Sequence, residues 1–143
     1  MNSTSVTGGG TEYDQVVIML HGGGGSGSEW EYDYKEGHFG DINRMKFVFP
    51  TSPMTMEPRE HHMFDSVKHF FSSLNPWKPK TKGGLWYLSY KNGCGLDDDC
   101  AYDIDSIHKS AHRVEALILH EMEQESIGGD ASKVFLAGFS QGA

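Results

Sequence analysis

Two runs of apolar and β-branched residues in this chain stop abruptly on glycine, and they limit the possible folds more than any other feature. Val16-Val17-Ile18-Met19-Leu20 runs into His21 and the cluster Gly22-Gly23-Gly24-Gly25, and Val134-Phe135-Leu136-Ala137 runs into Gly138. A strand with no polar alternation has both faces buried, which is the condition of a parallel sheet covered by helices on each side. Lys46-Phe47-Val48-Phe49-Pro50 repeats the form, and Pro50 ends it because proline cannot donate to a ladder. A further strand is expected over 85–90. Before the last strand, Ile104, Ile107, Ala111, Val114, Leu117, Ile118 and Met122 recur at helical spacing, with Asp103 or Asp105 as N-cap and Gly128-Gly129 as the stop. A weaker helical set, Met63, Val67, Phe70, Phe71 and Leu74, closes at Asn75-Pro76. Helix followed by buried strand is the alternation of an α/β fold with a mostly parallel sheet between two helical layers. Residues 1–15, rich in Ser, Thr and Gly, are expected to form a flexible tail.

At 143 residues the chain has room for one domain. Its formal charge of −8 opposes nucleic acid and anionic lipid, so no nucleic-acid partner is expected. No apolar run approaches the roughly 18 residues of a membrane helix, so no stable membrane insertion is expected. The first residues lack the basic head and apolar core of a secretion signal, which makes the cytoplasm the expected location. Cys94 and Cys100 are then expected to be free thiols.

The last strand leads directly into Gly138-Phe139-Ser140-Gln141-Gly142, the pattern G-x-S-x-G. Placed between a strand and a helix, this string forms a sharp turn that presents a serine as a nucleophile, with small flanking residues allowing the chain to double back. Acyl transfer through a serine develops a negative oxygen that must be met by preorganised backbone N–H groups. One donor is usually the residue after the nucleophile, here Gln141, and the other comes from a glycine loop after an early strand. His21-Gly22-Gly23-Gly24-Gly25-Ser26-Gly27 is such a loop, and Gly23 is the expected second donor.

The same loop contains G-x-G-x-x-G at Gly22, Gly24 and Gly27, so a dinucleotide-binding module is an alternative. That fingerprint requires an acidic residue near the end of the next strand, where this chain has Phe49-Pro50-Thr51. A phosphate loop would require Lys and Ser/Thr after Gly27, where Ser28-Glu29 stand.

The strand and glycine loop over 16–30, the Pro-x-x-Pro string after the next strand (Pro50 and Pro53), and Lys133-Val134-Phe135-Leu136-Ala137-Gly138-Phe139-Ser140-Gln141-Gly142 together resemble the phospholipase/carboxylesterase family. This α/β-hydrolase group includes acyl-protein thioesterases and lysophospholipases. The resemblance implies a single three-layer α/β/α domain over 16–143 with an insertion at about 54–84. It implies hydrolysis of an acyl thioester or ester, in an acylated protein, a lysophospholipid or a small ester, with no cofactor and no metal. Trp86, with Tyr87 next to it, takes the place of an aromatic pair beside the family's acyl channel.

The family orders its triad as Ser, then Asp, then His, with both partners well beyond the serine. The sequence given ends at Ala143, so the acid and base are expected outside it, and the fold is expected to be truncated after the elbow. A catalytically inactive fragment is the corresponding alternative. His108 and His112 have a spacing that can hold a metal but lack an evident third ligand. Asp97, Asp98, Asp99, Asp103 and Asp105 read as a solvated turn and helix start. His61, His62 and His69 read as surface, and Lys78, Lys80 and Lys82 beside Trp77 as loop. The apolar set over 63–74 is a candidate lid for an acyl chain.

Overall fold

The three apolar runs form parallel strands, the first pairing with the second on one side and with the third on the other. The computed structural model describes residues 3–7, 12–40, 42–55, 83–88 and 102–143. Strand β1 is Ser3–Thr7, β2 is Gln15–Leu20, helix α1 is Gly27–Lys35 and β3 is Met45–Pro50. Then come β4 (Met54–Thr55), β5 (Gly84–Leu85), the long helix α2 (Ile104–Met122) and β6 (Val134–Gly138). The main sheet has the order β1-β3-β2-β6, with β2 parallel to both neighbours. Val17 lies opposite Phe47, Ile18 opposite Val48 and Leu136, and Leu20 opposite Gly138.

Side chains alternate across a strand, so each face of the sheet has its own core. On one face, Phe47 and Phe49 are buried and meet the ring of Tyr34 on α1 and the ring of Phe39 just after it. On the other, Val16, Ile18, Leu20 and Val48 pack with Val114 of α2, with Ile127 and with Trp86. Helices therefore cover both faces, the three-layer α/β/α arrangement that the sequence predicts. Burying each large side chain contributes roughly 1.5–3 kcal/mol, which makes these two clusters the main stabilising term.

One polar contact crosses the second face. Lys46 Nζ on β3 lies 2.7 Å from Glu121 Oε2 on α2, and the two side chains are only 14% and 4% exposed. The same ammonium sits 5.4 Å from the centre of the Tyr13 ring.

Helix α2 starts where the sequence places it. Asp103 is the N-cap and its carboxylate accepts from the Ser106 N–H at 3.3 Å. The helix ends at Met122, and Gly128 and Gly129, at φ +64° and +79°, close the following turn with the Gly129 N–H donating to the Met122 carbonyl. Its buried face differs from the expected stripe: Ile104 is 58% exposed, whereas Ser106 and Ser110 are buried. The two hydroxyls face backbone polar groups of residues 86–88, a service that no aliphatic side chain can perform.

Three expectations are revised. The N-terminal segment is not all tail, because Ser3–Thr7 pairs antiparallel with β3, from Ser3 opposite Pro50 to Thr7 opposite Lys46. An open strand edge offers unpaired N–H and C=O groups, and Ser-Thr-Ser-Val-Thr has the composition to take them. The strand expected over 85–90 is reduced to Gly84–Leu85, paired antiparallel with Met54–Thr55, outside the main sheet. From Trp86 to Leu88 the described backbone bonds to side chains and, at the Leu88 carbonyl, to the Asp103 N–H. The run at Val134–Gly138, expected to be buried, is instead the last strand in the order of the sheet, with Phe135 and Leu136 45% and 54% exposed, and helix α1 has no counterpart in the sequence reading. The expected helix over 63–74, Cys94 and Cys100, His61, His62 and His69, the lysines at 78, 80 and 82, and Asp97 to Asp99 lie outside the described residues.

Candidate active site

In open α/β sheets, ligands bind beyond the carboxyl ends of the strands, and here two of those ends lie side by side. The register of Leu20 against Gly138 brings the glycine loop after β2 next to the turn after β6, and the Phe139 N–H donates to the Leu20 carbonyl at 3.1 Å. A Cβ placed on Gly22 would lie 3.4 Å from Ser140 Cβ. The two constellations read from the sequence thus form one locus.

Ser140 has φ +54°. For a residue with a Cβ, this left-handed conformation costs on the order of 1 kcal/mol and persists only where the surroundings impose it. The flanking glycines show what imposes it. A Cβ on Gly138 would collide with the Gly142 carbonyl as the chain folds back, and one on Gly142 would lie 2.7 Å from the His21 carbonyl oxygen and 2.8 Å from Leu20 Cβ. The serine is exposed at the tip, where a 3-10 turn, Ser140–Gly142, begins.

The glycine loop is held by its own amides. Gly25 N–H donates to the Gly22 carbonyl, Gly24 N–H to the Gly84 carbonyl, and Gly27 N–H to Thr51 Oγ1. Among the described residues no hydrogen bond is made by the N–H of Gly23 or by that of Gln141. A phosphate loop needs several such amides together. Three of those in this loop are already used, and Phe49, Pro50 and Thr51 supply no carboxylate for a ribose.

His21 is 1% exposed, with both ring nitrogens engaged. Nε2 accepts from the Ser52 N–H at 2.9 Å, and Nδ1 faces the Gly22 carbonyl at 2.7 Å, so the proton belongs on Nδ1. The ring serves as a brace between the loop and the end of β3, and its lone pair is already committed. Burial lowers its pKa from the ordinary 6.5, and the hydrogen bond to the Gly22 carbonyl offsets this only in part. A base with a depressed folded pKa contributes stability that is complete above the unfolded value and is lost as pH falls through the folded one. The unfolding midpoint in urea is therefore expected to drop as pH falls below about 6.5, and less steeply in His21→Gln. Parallel pH profiles for the two proteins would refute this role.

Trp86 is 3% exposed, its ring 5.0 Å from the His21 imidazole and its indole N–H donating to the His21 carbonyl at 2.7 Å. It is core packing beneath the loop, and Tyr87 is the partly exposed member of the pair. Trp30 of α1 meets the Phe139 ring edge-on at 6.4 Å, so α1 also abuts the turn. His108 and His112 are exposed on α2, and among the described residues no group of three potential metal ligands occurs. No helix among them is long and apolar enough to cross a membrane.

The chain matches no family model. It is 27% identical over 133 residues to acyl-protein thioesterase 1 of Debaryomyces hansenii, covering 90% of this chain and 47% of that protein. It is likewise 27% identical over 133 residues to acyl-protein thioesterase 1 homolog 1 of Dictyostelium discoideum, covering 93% of this chain and 48% of that protein. Among solved structures it superposes on acyl-protein thioesterase 2 of Zea mays with a TM-score of 0.60 at 20% identity, covering 99% of this chain and 47% of the other. The chain thus spans about half the length of the relatives it matches. The resemblance seen in the sequence is borne out by relatives named acyl-protein thioesterases, and the chain shares the mostly parallel α/β fold of the Zea mays structure.

Proposed function

We propose that this chain is the nucleophile-bearing part of a serine hydrolase of the acyl-protein thioesterase type, acting on an acyl thioester or ester. Ser140 Oγ attacks the acyl carbonyl, and the N–H groups of Gly23 and Gln141 receive the oxyanion that forms. A histidine outside these residues takes the serine proton and later returns it to the leaving group, held in its tautomer by an aspartate. His21 is not that base, because its Nε2 already accepts from Ser52. Trp86 acts from below, fixing the loop that carries Gly23 through the His21 carbonyl. The acyl substrate is that of an acylated protein, a lysophospholipid or a small ester, and the chemistry calls for neither a cofactor nor a metal.

The observation that carries this reading is the left-handed Ser140 at the end of β6, beside the glycine loop that follows β2. Such strain is retained where a side chain must be presented at a fixed angle. A fluorophosphonate, which reacts only with an activated serine, is expected to label the intact protein at Ser140. Failure to label the folded, intact protein would refute the proposal and leave a binding-only role.

A further inference from the structure

The side chain of Gln141 plays no part in the mechanism above, which uses only its backbone N–H. Yet this side chain makes the most specific polar contact at the turn. Its Oε1 accepts from the Trp86 N–H at 3.0 Å, and its Nε2 donates to the Tyr87 carbonyl at 2.9 Å. One acceptor and one donor at this reach require a carboxamide, and the two partners fix which way it faces.

The segment it grips is anchored on every side. Gly84 N–H and C=O bond to Gly25 and Gly24, and the Leu85 carbonyl accepts from Ser52 Oγ at 2.8 Å. Ser110 Oγ donates to the Trp86 carbonyl. Ser106 Oγ accepts from the Leu88 N–H at 2.9 Å, and the Leu88 carbonyl accepts from the Asp103 N–H at 2.9 Å. Residues 84–88 are therefore a fixed strip tied to the glycine loop, to the end of β3 and to the start of α2.

From this we infer that the Gln141 side chain is a positioning group that aims its own backbone N–H at the developing oxyanion by clamping the strained turn to the strip. This rests on the reading of Ser140 as nucleophile. The geometric reason is that a 3-10 turn of three residues has little rigidity of its own. The orientation of the Ser140–Gln141 peptide must come from something outside the turn, and an oxyanion donor works only when it is preorganised. Both oxyanion amides are then referred to one frame, because the strip also holds Gly24, the residue after Gly23, through the Gly84 carbonyl.

The test is steady-state hydrolysis of a chromogenic short-chain ester by the intact protein, with fluorophosphonate labelling rates measured in parallel. Gln141→Ala and Gln141→Glu are compared with wild type. The glutamate keeps the length and the acceptor but cannot donate to Tyr87. Both are expected to lose roughly 10- to 100-fold in kcat with KM within about twofold, less than the loss of an oxyanion donor outright. If Gln141→Ala does not fold, Gln141→Met, which fills the space without the amide, takes its place. Variants with wild-type kcat, or with the whole loss in KM, would overturn the inference while leaving the hydrolase reading intact. A wild-type protein that neither labels nor turns over ester would overturn both.

Discussion

Replacing Ser140 by alanine is expected to lower kcat for ester hydrolysis by roughly 10⁴- to 10⁶-fold, leaving only what binding and the oxyanion donors supply. The measurement is hydrolysis of a chromogenic ester by the intact protein, with fluorophosphonate labelling as a check that the signal is not a contaminant's. Activity within about tenfold of wild type would exclude Ser140 as the nucleophile. The backbone allows a second reading of the same position. Ser140 sits at φ +54°, where glycine carries no Cβ penalty. Ser140→Gly, although equally inactive, is expected to be about 1 kcal/mol more stable than Ser140→Ala in urea unfolding. An ordinary loop serine would give the opposite order, since glycine loses more conformational freedom on folding.

The second large effect lies away from the site. Glu121→Ala leaves the Lys46 ammonium buried without its carboxylate, and removing one partner of a buried pair costs about 3–5 kcal/mol. Replacing both together, Lys46→Met with Glu121→Leu, is expected to recover most of that loss, because apolar groups of similar volume carry no desolvation penalty there. Urea midpoints of the two single variants and the double variant close the cycle. If Glu121→Ala costs less than about 1 kcal/mol, the pair behaves as a surface contact.

The legible parts of the fold were those whose cause is local. Strands β2 and β3 show as apolar runs because the sheet buries most of their side chains, β6 shows as the same kind of run although Phe135 and Leu136 are exposed, and α2 shows by its 3.6-residue period and its Asp103 cap. Helix α1 has no such stripe. It turns Trp30 and Tyr34, four residues apart, toward the sheet and has acidic residues between and around them. The spacing Ser26-x-x-Glu29 was its available signal, since that string often opens a helix, although here the Ser26 hydroxyl lies 3.1 Å from Ser28 Oγ and does not cap. Strand β1 owes its existence to the free edge of β3, some forty residues on, which no local pattern reports.

The same division runs through the site. The G-x-S-x-G string and the glycine loop are contiguous and could be read directly. The commitments of Ser106, Ser110, Ser52 and Gln141 to residues 85–88 join side chains to backbone groups far away in sequence, and a serine on a helix looks the same whether it faces water or a carbonyl. The resemblance sets Trp86 beside the family's acyl channel, and no local pattern reports that its indole N–H and both flanking peptide groups are hydrogen-bonded to His21, Gln141 and Ser110.

The strip over 84–88 also bears on how such a chain can change over time. In sequence it lies between residues 56–82 and residues 89–101, and its backbone is fastened at nearly every polar group to elements outside both ranges. A strip fastened in this way is a mechanical ground between Ser140 and any change in the length of either range. New sequence can be tried in those stretches, and discarded, without moving the nucleophile.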